Sequence, residues 1–248
     1  MFPTLHIGPL ALPTAGVIYI LGAYAALSVI ERAAGMLKQD AARLYNLAGL
    51  SLLAGFIGAR LTFVLIYWPA FRNDLLGVVW PLNSGYNLVG GLFVGLVVGV
   101  FYGRFHQLKL YPTLDALAPG ILVALFAISL ADFLGGPGFG ELTSMPWGIT
   151  QFSVRRHPVQ IYEILVALLA LGSWWYLRHD RLFDGQLFLL STALYSGGRL
   201  FTDAFRENAW LSANGIHLLQ IICLVLMLVS LYALSRRAEQ TGRQGSVN

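Results

Sequence analysis

The sequence predicts an all-α, polytopic membrane protein with seven transmembrane helices, its N-terminus outside the membrane and its C-terminus in the cytoplasm. Three observations support this fold class: the composition, a series of long apolar runs, and an uneven distribution of Lys and Arg among the loops. Of the 248 residues, 57% are hydrophobic and only 11% are charged, whereas about 25% of a soluble domain is charged. This composition excludes an ordinary soluble domain.

Seven apolar segments are long enough to cross a bilayer, which requires about 20 mostly apolar residues. They cover residues 13–31, 46–67, 87–103, 113–134, 159–177, 185–203 and 214–234. The fourth segment is interrupted near its end by Asp132 and the stretch GGPGFG, which favours a break in that helix. We assign residues 1–235 to a seven-helix transmembrane domain and residues 236–248 to a basic cytoplasmic tail.

The Lys and Arg residues indicate the orientation, because these residues accumulate in cytoplasmic loops. Ten of the 16 lie in the loops at 31–45, 104–112 and 178–184 or in the C-terminal tail, and four lie in loops on the opposite side. The ten therefore mark the cytoplasmic side. The N-terminal segment has no basic n-region, so we interpret the first apolar run as a retained helix and not as a cleaved signal peptide.

Charged residues within the apolar segments are the first candidates for a site, because a charge at mid-bilayer costs about 2.5–3.5 kcal/mol even on the gentler scales. They are Arg60, Asp115, Asp132, Glu163, Arg199 and Asp203. Asp115 is predicted to be a carboxylate at the start of a helix. The others are expected to face the bundle interior or a wet cavity, and Arg60 is expected to pair with one of the available carboxylates.

The end of the sixth segment carries a charged pattern with helical spacing. Arg199, Asp203 and Arg206 lie at positions i, i+4 and i+7 and therefore share one helical face. We predict that Asp203 holds both guanidiniums in place, and an arginine fork matches the oxygens of a phosphate. The pattern indicates an anion clamp just inside the outer membrane face. An internal salt bridge that locks this helix to its neighbours is the alternative interpretation.

The stretch RRHPVQIYE places polar side chains at the entrance of an apolar helix. Gln160 and Glu163 are three residues apart and share a face, and Pro158 suits the first turn of a helix. Arg155 and Arg156 lie on the outer side, where positive charge is disfavoured, so we expect them to have partners, although solvated loop arginines remain an alternative. Arginines and carboxylates from different helices then converge on a cavity near the outer leaflet. The ligand that fits is an amphiphile with an anionic headgroup, namely a phospholipid.

Glycines recur every four residues along the third segment and give it one small-residue face. Gly95, Gly99 and Gly103 are predicted to allow another helix backbone to approach closely. The paired Gly90 and Gly91 lie at the outer end, where a backbone can also approach a ligand.

The chain resembles the prolipoprotein diacylglyceryl transferase family in segments spread over most of its length. RRHPVQIYE is similar to the family's R-H-P-S-Q-L-Y-E, and this match is specific. Weaker matches are GARLTFVLIYWPAF to G-x-R-x-x-Y-V-L-x-Y, NLVGGLFVG to F-H-G-G-L-x-G, IGPLALPTAGVIYILG to the opening segment, and GGRLFTDAFRE to a segment ending in F-R-x-x-x-E-x-x-R.

The resemblance implies a multi-pass enzyme of the bacterial inner membrane that moves diacylglyceryl from phosphatidylglycerol to the thiol of a lipobox cysteine. Its expected partners are phosphatidylglycerol or another anionic phospholipid, a membrane-tethered prolipoprotein and the bilayer, with no nucleic acid, no cofactor and no metal. The implied catalytic residues are His157, Glu163 and Arg199. The implied lipid- and phosphate-binding residues are Arg60, Gln160, Tyr162, Arg199, Asp203, Arg206, Gly90 and Gly91.

The chain departs from the family pattern at positions that matter for chemistry. Val89 stands where the family has the histidine before the paired glycines, and Ser129 stands where it has the signature arginine. Asp132 replaces an asparagine, Ala15 replaces a tyrosine, and the acidic residue on the sixth segment is shortened to Asp203.

A general base is needed because the thiolate, and not the thiol, is the nucleophile. His157 is predicted to be the substitute base, whereas His217 is predicted to cap its helix or to lie at the interface. Two alternatives to a transferase are a non-catalytic relative that binds phospholipid or lipoprotein precursors, and a small membrane transporter.

Overall fold

The computed structural model describes residues 4–7, 10–73, 75–79, 85–212 and 214–245. These residues form nine helices and four short strands. The helices are α1 (Thr14–Met36), α2 (Ala41–Ile66), α3 (Trp68–Phe71), α4 (Leu75–Val79), α5 (Leu88–Phe105), α6 (Leu110–Gly135), α7 (Val159–Leu177), α8 (Gln186–Asp203) and α9 (Leu218–Gly245). The strands are β1 (Thr4–Ile7), β2 (Leu10–Pro13), β3 (Ile149–Gln151) and β4 (Val154–Arg156).

Six of these helices are long and apolar enough to cross a membrane: α1, α2, α5, α6, α7 and α9. The multi-pass helical class is therefore confirmed. The predicted segment at 185–203 does form a helix, α8, but this helix is less apolar because it carries buried polar residues such as Ser191, Ser196 and Asp203. The predicted break in the fourth segment is wrong, since α6 runs without interruption to Gly135 and ends at Gly136, whose φ of 107° closes the helix.

Local sequence signals account for several helix boundaries. The Asp40 carboxylate accepts a hydrogen bond from the Arg43 backbone N–H at 3.0 Å and caps the start of α2, as short acidic side chains commonly do. In the same way Asn87 accepts from the Gly90 N–H at 2.8 Å and caps α5.

Asp115 also serves as a helix cap, although for a helix other than its own. It lies in α6, is fully buried, and accepts hydrogen bonds from the N–H groups of Gly185 at 2.7 Å and Phe188 at 2.9 Å. These donors belong to the unpaired first turn of α8. Asp115 therefore ties α6 to the start of α8, on the side predicted to be cytoplasmic.

The two small antiparallel sheets correct the all-α prediction. β1 pairs with β2, and β3 pairs with β4. The second hairpin contains Phe152 and Ser153 in left-handed backbone conformations, with φ of 52° and 65°. Two non-glycine residues with positive φ give no turn signal in the sequence, which is why this hairpin was not predicted.

Helix packing follows the small residues. A Cβ on Gly95 would lie 2.9 Å from the carbonyl oxygen of Ser51, and one on Gly55 would lie 3.1 Å from that of Gly91. The predicted close approach of two helices is therefore confirmed, and the partners are α2 and α5. Elsewhere α1 packs on α6, α7 packs on both α6 and α8, and α8 packs on α9. The pair α2–α5 joins the rest of the bundle mainly through α1, whereas α7 and α8 pack on α6 and α9 packs on α8.

The C-terminal helix is continuous across the predicted domain boundary between residues 235 and 236, because α9 extends to Gly245. Arg237 fixes this extension. Its guanidinium donates to the carbonyl of Asp184 at 2.6 Å and lies over the ring of Tyr111 at 3.4 Å. Part of the segment predicted as a basic tail is therefore helix packed against the rest of the protein.

Candidate functional site

A buried carboxylate joins two arginines where the ends of α6 and α8 meet the start of α7. Glu163 is only 3% exposed. Its Oε1 atom accepts hydrogen bonds from the guanidiniums of both Arg199 and Arg206, and its Oε2 atom accepts from the Ser129 hydroxyl at 3.0 Å. Both arginine side chains are largely buried. We call Glu163, Arg199 and Arg206 the arginine–glutamate cluster.

Glu163, and not Asp203 as we predicted, accepts the hydrogen bonds of both guanidiniums, while Asp203 acts on both through its charge. Helix α8 ends at Asp203, and the chain then turns, so that Arg206 no longer continues the helical face that the spacing implied. Instead, Arg206 forms a β-bridge with Gly140. The internal salt bridge that we considered as the alternative is present, and it links α8 and the turn after it to α7.

Asp203 contacts a histidine instead. Its Oδ2 atom lies 3.4 Å from Nδ1 of His217, which directly precedes α9. The carboxylate is almost completely buried, and its Oδ1 atom has no hydrogen-bond partner among the residues that the structure describes. His217 was predicted to cap its helix or to lie at the interface. No periodic spacing links it to Asp203 across the turn between α8 and α9, which is why the pair was missed.

The loop after α6 lines the arginine–glutamate cluster. Gly138, with φ of 70°, lies so close that a Cβ there would be 2.7 Å from Arg206 Nη1 and 3.1 Å from Asp132 Oδ2. Asp132 therefore approaches the cluster from α6. The buried Gln160 holds the same loop by donating to the carbonyl of Pro137 at 3.0 Å.

Burial lowers the pKa of the Arg206 guanidinium, while Asp132 and Asp203 act in the opposite direction. These two carboxylates and Glu163 thus surround Arg206. Two of the buried atoms in this region are unpaired within the described part of the chain: Arg206 Nε and Gln160 Oε1. Buried polar atoms are nearly always hydrogen-bonded, so these two unpaired atoms are available to bind a polar group of a ligand.

Both arginines of RRHPVQIYE have partners, as predicted. Arg155 donates to the carbonyls of Gly148 at 3.1 Å and Pro146 at 2.7 Å. Arg156 donates to the carbonyl of Gly140 at 3.0 Å and pairs with Glu207. Together these bonds attach strand β4 to the loop after α6, and they position the entrance of α7 beside the cluster.

His157 belongs to an aromatic group at that entrance. Its Nδ1 atom lies 3.3 Å from the Tyr162 hydroxyl, which accepts a hydrogen bond from the Trp147 indole at 2.9 Å. The imidazole also packs on the ring of Phe205, with 4.9 Å between ring centroids. Trp147 carried no motif in our sequence analysis, so this contact was not predicted.

Arg60 has a different environment from the other predicted site residues. It is buried in α2 and donates to the carbonyls of Gly85 at 2.9 Å, of Val78 at 3.2 Å and of Gly77. Its guanidinium also lies 5.6 Å from the centre of the Tyr86 ring. These contacts are backbone carbonyls and an aromatic ring of the segment that leads into α5, and the predicted pairing of Arg60 with a carboxylate stays a prediction.

The paired glycines at the start of α5 face α2. A Cβ on Gly91 would lie 2.8 Å from that of Ala59, and Gly90 abuts Thr62 even more closely. Helix packing therefore explains why these positions lack side chains, and their predicted contact with lipid stays a prediction. Val89, between Leu88 and Gly90, is 67% exposed on the outer surface of the helix.

The fold and the site define a multi-pass helical membrane protein with a buried cluster of guanidiniums and carboxylates at one end of its bundle. The family model described as prolipoprotein diacylglyceryl transferase matches residues 3–236. The chain belongs to the prolipoprotein diacylglyceryl transferase family.

Several curated relatives share the name phosphatidylglycerol–prolipoprotein diacylglyceryl transferase. The chain is 29% identical to that of Wolbachia sp. subsp. Drosophila simulans (strain wRi), over 92% of this chain and 93% of the relative. It is 26% identical to that of Clostridioides difficile (strain 630), over 83% and 81% of the two chains. It is 29% identical to that of Rhizobium meliloti (strain 1021), over 93% and 89%.

Proposed function

We propose that the chain transfers the diacylglyceryl group of phosphatidylglycerol to the thiol of a lipobox cysteine in a membrane-tethered prolipoprotein. The family assignment supports this reaction, and so do the names of the relatives. The observation that carries the proposal for this chain is the arginine–glutamate cluster, where two guanidiniums lie side by side in a largely buried setting.

Arg206 is the side chain best prepared to bind the lipid phosphate. Its Nη2 atom is used by Glu163, while its buried Nε atom has no partner in the described residues. A guanidinium presents Nε and Nη donors as a fork that matches two phosphate oxygens. A phosphate can therefore accept a hydrogen bond from Nε without displacing Glu163 from Nη2.

The transfer is a substitution at the glycerol carbon next to the phosphate. The thiol gives its proton to a base, and the thiolate forms a new S–C bond as the C–O bond to phosphate breaks. The electron pair leaves with glycerol phosphate. Arg199 and Arg206 stabilise the negative charge that builds on the departing oxygens, and fixed donors of this kind contribute most when water is excluded.

We propose that α8 is a seventh span and that the protein lies in the inner membrane of a bacterial cell. The N-terminus and the arginine–glutamate cluster then lie on the outer side, and the C-terminus lies in the cytoplasm. The polar residues of α8 are compatible with a span, because α6, α7 and α9 all pack against it. Buried polar residues in a membrane face other helices and not lipid.

Two substitutions favour a second candidate, a non-catalytic relative that binds the same phospholipid. Val89 points away from the helix packing, and Ser129 donates a hydrogen bond to Glu163 where the family pattern has an arginine. Neither residue supplies the base or the positive charge of the family pattern. The phosphate-binding part of the proposal is shared by both candidates.

Complementation separates the two candidates. The chain is expressed in a bacterium depleted of its own transferase, with Arg199→Ala as the matched inactive control. Restored growth with the wild-type chain, and none with Arg199→Ala, is expected for the transferase. Absence of growth, together with normal membrane insertion and retained binding of phosphatidylglycerol, would refute the transferase and support the binder.

A further inference from the structure

A histidine and a buried carboxylate form a pair beside the arginine–glutamate cluster. His217 Nδ1 lies 3.4 Å from Asp203 Oδ2. The two side chains differ in exposure: Asp203 is 1% exposed, whereas His217 is 31% exposed. Such a carboxylate accepts the Nδ1–H of the imidazole, which leaves the lone pair on Nε2 free to take a proton.

The backbone around His217 keeps the imidazole in place. Leu211 and His217 form an antiparallel bridge, and the Leu218 N–H donates to the carbonyl of Trp210 at 2.9 Å. On the other side, Gln220 of α9 donates to the carbonyl of Leu200 in α8 at 3.3 Å. The histidine is thus fixed between the end of α8 and the start of α9.

The pair lies next to the arginines that are proposed to bind the phosphate. Asp203 follows Arg199 by one turn of α8, and the Arg206 N–H donates to the Asp203 carbonyl at 3.2 Å. Besides its ion pair with Glu163, Arg199 is influenced electrostatically by Arg206, Asp203, Cys223 and Asp132. Asp203 therefore connects a base at His217 with the two guanidiniums. The nearby titratable group of α9 is the Cys223 thiol.

His157 is less suited to take a proton. The described contacts of its imidazole are the Tyr162 hydroxyl and aromatic rings, and none of them is a carboxylate. Among the histidine side chains that the structure describes, His217 is the one within 4.0 Å of a carboxylate. A carboxylate stabilises the imidazolium that forms when the base accepts a proton.

We infer that His217 is the general base that deprotonates the cysteine thiol, with Asp203 as the residue that positions it. This inference rests on the proposed transferase function. The thiol proton moves to Nε2 of His217, the thiolate sulfur attacks the glycerol carbon, and the departing glycerol phosphate takes the C–O electron pair. His217 thereby takes the role of general base that we predicted for His157. It also compensates for Val89, which stands at the position of the family histidine.

The test compares three variants of the full-length protein in proteoliposomes that contain phosphatidylglycerol. His217→Gln keeps a hydrogen-bonding side chain but removes the base, His157→Gln removes the competing candidate, and His179→Gln is the matched control. His179 is exposed and follows α7, at the opposite end of that helix from Glu163. Transfer of diacylglyceryl to a lipobox peptide is measured from pH 6.5 to 9.5, and lipid binding is measured by native mass spectrometry.

His217→Gln is expected to lower kcat/KM by about 10²-fold near pH 7, since loss of a general base commonly costs about 10²–10⁴-fold. The deficit is expected to shrink toward pH 9.5, because a free cysteine thiol ionises by itself near a pKa of about 8.5. A purely structural role of His217 does not produce this convergence. Binding of phosphatidylglycerol and the activity of His179→Gln are expected to be unchanged.

Two further variants test the positioning residue: Asp203→Asn is expected to reduce the rate near pH 7, and Asp203→Glu is expected to retain part of the wild-type rate. A wild-type protein that transfers well, together with an equally active His217→Gln, would overturn the inference and leave the proposed function intact. An equal deficit at every pH, or a larger deficit in His157→Gln, would overturn it as well. A wild-type protein without any transfer would instead refute the proposed function.

Discussion

Replacing Glu163 by glutamine is expected to destabilise the protein strongly, because one carboxylate oxygen accepts hydrogen bonds from two largely buried guanidiniums. Glu163 is 3% exposed, and the side chains of Arg199 and Arg206 are 15% and 12% exposed. Removing one partner of a buried ion pair costs about 3–5 kcal/mol. The Ser129 hydroxyl can still donate to the remaining amide oxygen, so we expect the lower end of that range.

The expected change is large enough to measure by thermal unfolding in detergent with tryptophan fluorescence. A loss of about 3 kcal/mol lowers the Tm of a chain of this size by about 6–12 °C. Glu31→Gln is the matched control, since Glu31 is exposed on α1, and a surface substitution of this kind changes stability by about 0.5 kcal/mol or less. A Tm of Glu163→Gln within about 2 °C of the control would show that Glu163 is not the anchor of both arginines.

Three further predictions concern the lipid, the fold and the topology. Arg199→Lys is expected to weaken the preference for phosphatidylglycerol over neutral diacylglycerol by about tenfold in native mass spectrometry, because a lysine is a point charge and not a fork; an unchanged preference would argue against a phosphate contact. Asp115→Asn is expected to lower stability by about 2 kcal/mol through weaker capping of α8, and an unaltered Tm would contradict this. A reporter fused after Asn248 is expected to read cytoplasmic, and a periplasmic signal would reverse the orientation.

Helical periodicity was sufficient to predict which polar residues of a single helix face the site. Gln160 and Glu163 are both buried, as their three-residue spacing in α7 indicated. The cost of burying charge in a membrane likewise predicted that Glu163 and Arg199 lie inside the bundle and not against lipid. These predictions hold because each depends on one helix and on the solvent around it.

The pairing between elements was not predictable in the same way. Arg206 follows the end of α8, and the position of that end depends on the turn that returns the chain toward Gly140. The described hydrogen bonds of Arg60 go to carbonyls in the segment before α5, and any exposed carbonyl is equally available in a sequence. His217 reaches Asp203 only because α9 packs on α8. Spacing within one helix contains no information on these contacts.

The charges of the site connect the proposed base to the proposed phosphate contact. Three carboxylates, Glu163, Asp132 and Asp203, share this region with two guanidiniums, so a neutral His217 leaves the group with an excess negative charge. A bound phosphate adds to that negative charge, and its direct hydrogen bonds to the guanidiniums offset the repulsion. When His217 accepts the thiol proton, the imidazolium offsets one carboxylate as negative charge accumulates on the leaving phosphate. Proton transfer to His217 and departure of the phosphate therefore favour each other electrostatically, and Asp203 links the two because it contacts His217 and also attracts both arginines.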